Sequence, residues 1–234
     1  MREQEYYQKW HQPSWTTAIS LQSVWGLSGF GVQARCQKKD KATILKAYQE
    51  RSSLRGLERI FLVARQQVSG WIREHVHGLP PLKTTLLPAQ PGDVLEFDEA
   101  WSFVLKKVNK RWLWSVLCRR TRQIIAFTLG DRSEQACRRL WGKIPVEYRT
   151  ATLYSDFWKA YQQVLPQAQH QAVGKESGQT NHMERWYCTL RQRLSRYVRK
   201  SLSFSKSEAY HNMVTKWYIY DYNFAIKELL PLTL

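Results

Sequence analysis

The stretch DVLEFDEAWSFVL, residues 93–105, sets its large apolar side chains at alternate positions. Leu95, Phe97, Trp101, Phe103 and Leu105 fall on one face, and Val94, Glu96, Asp98, Ala100 and Ser102 on the other. A period of two belongs to a strand; a helix would scatter these residues around its axis. RWLWSVLCRR and QIIAFTLGD continue the strand character, joined through the turn-like KVNKR and RRTRQ. Three strands with such short connections must pair antiparallel. The period then changes. A helix is expected from Ser133, an N-cap with Glu134 behind it, to about Ile144. TATLYSD reads as a short strand ending at Asp156, FWKAYQQVL as a helix and AQHQAV as a weak strand. A last helix begins near Asn181, with Met183, Tyr187, Leu190, Leu194, Tyr197 and Val198 as its buried stripe. The order β-β-β-α-β-α-β-α predicts a mixed α/β domain.

Ahead of that domain, LPPLKTTLLPAQPG at 79–92 holds four prolines and a terminal glycine, and reads as a linker. Residues 41–78 are helical by pattern. Ile44, Leu45 and Tyr48 start one helix. Leu54, Leu57, Ile60 and Phe61 recur at helical spacing behind a Ser52 or Ser53 cap, and Val68, Trp71, Ile72 and Val76 form one stripe of a further helix. Two short helices joined tightly, the second bearing Arg65, Gln66, Gln67, Ser69 and Arg73, suit a helix-turn-helix whose Arg and Gln bond base edges. An ordinary helical hairpin fits the same spacing. The expected organisation is a poorly defined segment 1–40, a helix-turn-helix domain 41–78, the linker 79–92, the mixed α/β domain 93–228 and a tail 229–234.

Charge narrows the partners. The net charge is +17 and the pI about 9.9, which points to a polyanion. Eleven Trp and 12 Tyr argue for a packed core rather than a simple basic coat. Anionic membrane is the other polyanion to consider, but no apolar run reaches the ~18 residues of a span. The polar start MREQEYYQKW is no signal peptide. Cys36, Cys118, Cys137 and Cys188 form no C-x-x-C pair, so reduced thiols in a cytoplasmic protein are expected, with no metal knuckle.

Three carboxylates stand where sites form in α/β sheets: Asp98 within the first strand, Asp156 ending the fourth, and Glu184 opening a helix. Asp98 and Asp156 meet if strands one and four are neighbours. Gathered together the acids would repel one another. Oxygen-only ligands suit Mg²⁺ or Mn²⁺, and two such ions serve phosphodiester chemistry. From Arg185 to Lys206 there is no acid, so Arg185, Arg191, Arg193, Arg196, Arg199 and Lys200 are candidates to hold DNA phosphates. An amphipathic helix with a favourable N-terminal Glu fits the same residues. His182 is a candidate phosphate contact or a helix-capping residue.

EFDEAW, YSDFWKAY and NHMERW, with LRQRLSRYVRKSLSFSKS, resemble the catalytic region of insertion-sequence-one transposases over roughly residues 93–223. SLRGLERIFLVARQQVSGWI resembles the helix-turn-helix of that family. The resemblance implies an RNase H-like fold and a DDE site in which Asp98, Asp156 and Glu184 match the three acids and hold two Mg²⁺. The implied chemistry is cleavage at the element ends, freeing a 3′-OH that attacks target DNA. Double-stranded DNA, element ends and target, is then the partner, engaged by a homo-oligomer. Glu99 ranks behind Asp98 because it falls on the Phe97 face. The chain departs from the family in having only Cys36 before the helix-turn-helix, where members commonly carry a four-cysteine zinc ribbon, so no zinc is expected. It also has Leu62 at a turn often occupied by Gly. The rival readings are a non-catalytic DNA-binding regulator, an inactive transposase copy, or another RNase H-like nuclease such as a resolvase.

Overall fold

A computed structural model of the chain describes residues 38–198 and 203–229. The expectations for the N-terminal segment up to residue 37, for the tail beyond Leu229, and for Arg199 and Lys200 lie outside the described residues.

Three helices come first: α1 (Lys38–Gln49), α2 (Leu54–Phe61) and α3 (Arg65–His77). Ser53 caps α2 through its Oγ, which accepts the Gly56 N–H at 3.0 Å. Ile44, Leu57, Val68, Ile72 and Val76 are the buried stripe. Leu62, between α2 and α3, sits in the left-handed region (φ 54°) with 90% of its surface exposed. For a residue with a Cβ that conformation costs about 1–2 kcal/mol.

Residues 79–92 are fixed along their path. Tyr220 donates its hydroxyl to the Pro80 carbonyl. The Gln123 amide donates to Thr85 O and its carbonyl accepts from Leu87 N, both at 2.8 Å. Tyr148 donates to Leu87 O at 2.7 Å.

The sheet is mixed, as the order of elements predicts. Strands β1 (Val94–Phe103), β2 (Lys110–Cys118) and β3 (Ile124–Gly130) are antiparallel, while β4 (Thr152–Ser155) and β5 (His170–Ala172) run parallel to β1. The spatial order is β3-β2-β1-β4-β5. Between β3 and β4 lies α4 (Glu134–Lys143), capped by Ser133; α5 (Lys159–Val164) precedes β5, and α6 (Asn181–Arg193) follows it. A final helix, α7 (Glu208–Leu229), is an addition to the expected order.

Helices cover both faces of the sheet. On the Leu95/Phe97 face, α4 and α5 close a core of Trp114, Val116, Leu140, Leu153 and Tyr161. Opposite, α6 brings Met183, Tyr187 and Leu190 over β1 and β2, so Glu96, Ala100 and Ser102 are buried as well. Helices α1 and α3 pack on α7, where Tyr48 stacks on Trp217 (6.0 Å between centroids) and Gln49 Nε2 donates to Asp221 at 2.8 Å.

One expectation needs correction. The arginine-rich helix does not run on to Val198. It ends at Arg193, because Leu194 turns extended (φ −102°, ψ 106°), and a 3₁₀ turn, Ser195–Tyr197, carries Tyr197 into the core instead. No helix of the described residues is long and apolar enough to cross a membrane.

Candidate active site

The site starts from a missing neighbour. Strand β4 pairs with β1 only from Val94↔Thr152 to Glu96↔Tyr154. Beyond Glu96, among the described residues, that edge of β1 has no partner until the single bridge Val104↔Ser205. Asp98 lies on this open edge. Asp156, the residue after β4, continues the register to the same level. Strands one and four are therefore neighbours, the arrangement under which the two Asp meet. Helix α6 crosses beside them with Glu184 in its first turn. Asp98, Asp156 and Glu184 line one cavity of about 360 Å³, together with Glu99, Trp112, Arg132, Lys175, Tyr187 and Arg191.

The four acids differ in how their charge is met. Glu99 is buried and paired: one oxygen accepts from Arg132 Nε at 2.6 Å and the other accepts the Tyr161 hydroxyl at 2.8 Å. Among the described residues, no cation pairs with Asp98, Asp156 or Glu184. Burial, then the charges of Glu99, Asp156 and Glu184, pushes the Asp98 carboxyl up to about 7. Opposing this, Asp98 Oδ1 accepts the Glu99 N–H at 2.7 Å. Asp156 Oδ1 accepts the Trp158 N–H at 2.9 Å, a local turn that fixes its carboxylate. Adjacent in sequence, Asp98 and Glu99 point to opposite faces of β1 yet border the same cavity, because the sheet edge is open there.

Glu96, which sequence reading placed on the Asp98 face without a role, holds α6. Its Oε2 accepts the main-chain N–H groups of His182 (3.1 Å) and Met183 (3.0 Å), two of the orphan donors of the helix N-terminus. Its Oε1 accepts from Arg119 Nε at 2.9 Å and lies 2.6 Å from His182 Nδ1. Burial pushes its carboxyl up; Arg119 and the Met183 N–H pull against that rise. His182 is thus engaged with Glu96. A second tether is Tyr187, whose hydroxyl lies 2.8 Å from Asp98 O and 3.1 Å from Leu113 O. The only sequence signal for Glu96 was a carboxylate in the middle of an apolar strand.

The candidate DNA-binding residues separate into groups. Arg191 borders the cavity, its guanidinium 5.9 Å from the Tyr187 ring. Arg185 is exposed elsewhere on α6, beside Arg122 and Thr189. Arg193 pairs with Glu50, just after α1, and stacks 5.5 Å from the Tyr218 ring. Arg196 donates to Tyr48 Oη at 3.0 Å and Ser205 Oγ at 3.2 Å. Both of these guanidinium groups are engaged within the fold. On α3, Gln66, Gln67 and Arg73 are exposed, and Arg65 pairs with Glu58 at 2.8 Å.

The donor set bears on a metal. Three carboxylates without cationic partners border one cavity, and their oxygens suit a hard divalent ion. Among the described residues, no three His, Cys, Asp or Glu side chains are arranged to hold a single ion together. The acids fit such an ion by chemistry and shared cavity, with the side chains not drawn in around it.

Comparison with known proteins adds to this geometry. Residues 94–225 match the family model described as IS1 transposase. The chain is 34% identical over 131 residues to the insertion element iso-IS1n protein InsB of Shigella dysenteriae, covering 56% of this chain and 97% of that one. It is 33% identical over 152 residues to the insertion element IS1 4 protein InsB of Escherichia coli (strain K12), covering 61% of this chain and 89% of the relative. The matched span holds the whole sheet, α4 to α6 and all four cavity acids.

Proposed function

The chain belongs to the IS1 transposase family, and on that footing we propose that it cuts DNA at the ends of an insertion sequence and joins those ends to target DNA. The sheet and its two helical layers are read as an RNase H-like catalytic domain. Asp98, Asp156 and Glu184 are its DDE residues. One observation carries the reading: of four acids around the cavity, Glu99 is paired with Arg132, and the three without a cationic partner among the described residues are those that match the family motif.

Asp98, Asp156 and Glu184 would hold two Mg²⁺ or Mn²⁺. Bound there, such ions supply activation of water and stabilisation of a leaving oxygen. The chain itself supplies position. The Glu99 N–H fixes Asp98, the Trp158 N–H fixes Asp156, and Glu96 anchors the turn that carries Glu184. Lys175 and Arg191 border the cavity and would hold the phosphates of the strand being cut. In the first step water attacks a phosphodiester and frees a 3′-OH; in the second that hydroxyl displaces a 3′-oxygen of the target.

Helices α2 and α3 are read as a helix-turn-helix that recognises the element ends. Exposed Gln66, Gln67 and Arg73, with Arg65, would bond base edges. The active assembly is proposed to be a homo-oligomer on DNA. The test is Mg²⁺-dependent nicking of a duplex carrying an element end, followed by joining to a plasmid. A protein that binds the duplex and neither nicks nor joins it would leave only a binding function.

A further inference from the structure

The cavity holds one more side chain with a built setting. Arg132 follows β3, far in sequence from all three motif acids, and no sequence pattern singled it out. Its guanidinium is clamped on several sides. Nε donates to Glu99 Oε1 at 2.6 Å, and Nη2 pairs with the same oxygen. The Trp158 ring lies 3.9 Å from its central carbon and the Trp112 ring 4.7 Å. Glu99 is itself locked by the Tyr161 hydroxyl, which is fully buried.

We propose that Arg132 donates to a non-bridging phosphate oxygen of the DNA strand held at Asp98, Asp156 and Glu184. This inference rests on the transposase reading above. Two features support it over a purely internal partner for Glu99. An Arg that only neutralises a carboxylate gains most from the two-oxygen fork. Here it holds a single oxygen, and Tyr161 takes the other. A guanidinium has five N–H groups, and two go to Glu99. Among the described residues Arg132 has no other hydrogen-bond partner, while a third of its side chain remains exposed in the cavity wall. A second argument is electrostatic. Three uncompensated carboxylates repel a phosphodiester, and N–H donors fixed before the substrate arrives offset part of that repulsion without further ordering of the side chain, although the Arg132 charge is shared with Glu99. Lys175 and Arg191 border the same cavity, but among the described residues neither is sandwiched between two rings.

The experiment is a phosphate-by-phosphate scan on the full-length protein. Element-end duplexes each carry one uncharged methylphosphonate near the cleavage site, and nicking is measured at saturating DNA for wild type and Arg132→Ala. Wild type should lose about ten- to a hundredfold in rate at the contacted phosphate, the range of a charge-assisted bond. Arg132→Ala should already be slow by a similar factor and lose less than about twofold more at that one position, while other positions keep their wild-type sensitivity. Arg132→Lys, which keeps the charge without the planar fork, should fall between. Removing Arg132 leaves Glu99 buried and unpaired, so the scan is repeated with Glu99→Gln against Glu99→Gln/Arg132→Ala; this pair decides the matter if the single variant does not fold. A uniform loss at every phosphate, or normal nicking by the Arg132→Ala protein, overturns the contact and leaves the transposase reading intact. Failure of the wild type to nick any duplex overturns both.

Discussion

Glu96→Gln is the sharpest perturbation available, because it keeps shape and removes charge from a side chain with four partners. In the native protein Oε1 serves Arg119 Nε (2.9 Å) and His182 Nδ1 (2.6 Å), and Oε2 serves the N–H groups of His182 and Met183 (3.1 and 3.0 Å). An amide presents one acceptor and one donor. With its NH₂ at the Oε2 position, two donors of the first turn of α6 face another donor. The opposite orientation is the better one, since His182 Nδ1 can then accept, but Arg119 Nε loses its acceptor and the two main-chain bonds weaken from charged to neutral. A bond to a charged group is worth about 1.5–3 kcal/mol and a neutral one about 0.5–1.5. One charged bond lost and two weakened by about 1 kcal/mol each sum to about 4 kcal/mol. Arg119 retains Gln179 O at 2.7 Å and the Tyr154 ring at 5.2 Å, and an uncharged amide is easier to bury, so about 3 kcal/mol is expected. Urea unfolding at pH 7 measures the total. Hydrogen exchange locates it: the His182 and Met183 amides should exchange about a hundredfold faster. Nicking should fall with them, because Glu184 rides in the same turn. A loss under about 1 kcal/mol with unchanged exchange at residues 182 and 183 would show that Glu96 does not anchor α6.

Further outcomes follow from other parts of the fold. Glu184→Gln should abolish Mg²⁺-dependent nicking with DNA affinity intact or slightly higher, since it removes a negative charge beside the phosphates; wild-type nicking would take Glu184 out of the catalytic set. Arg191→Ala should do the reverse, lowering the salt slope of binding by about 1 while keeping part of the nicking at saturating DNA; an unchanged slope would mean that no phosphate is bound there. Gln66→Ala and Arg73→Ala should each cost about 1–3 kcal/mol on element-end DNA and relax sequence preference, measured on the whole chain because α1 and α3 pack against α7; equal losses on scrambled DNA would sink base reading. His211 is buried between Ser102 Oγ (3.0 Å) and Ser205 Oγ (2.8 Å), and burial, then Arg196, pulls its pKa down to about 4 against the opposite effect of Glu208. Below pH 6.5 the unfolded chain takes a proton that the folded protein refuses until about 4, so stability is complete above 6.5 and falls as pH drops through that window, by about 3 kcal/mol at the bottom. Urea titrations from pH 7 to 4 check this, and a His211→Gln protein with the same acid slope would refute it.

The element order was legible because its signals are local. Alternation marks β1, serines at 53 and 133 cap α2 and α4, and the change of period after Gly130 announces the alternating half of the sheet. The same locality let the motif acids be named before their cavity was known. What the sequence could not decide was which acids would remain uncompensated. Asp98 and Glu99 are neighbours with equal formal charge, and they are told apart by Arg132 and Tyr161, which reach Glu99 from beyond β3 and from α5. Distance along the chain hid Glu96 in the same way: its partners are Arg119 at the end of β2 and the start of α6. Tertiary contacts also separate arginines that the sequence spaces alike. Arg193 and Arg196 look like Arg191 in the sequence, yet Glu50, just after α1, and Tyr48 of α1 engage them, and Arg191 borders the acidic cavity. Helix and strand periods are set by each residue's near neighbours. The charge state and accessibility of a side chain are set by whatever the fold packs against it, and here those partners lie tens of residues away.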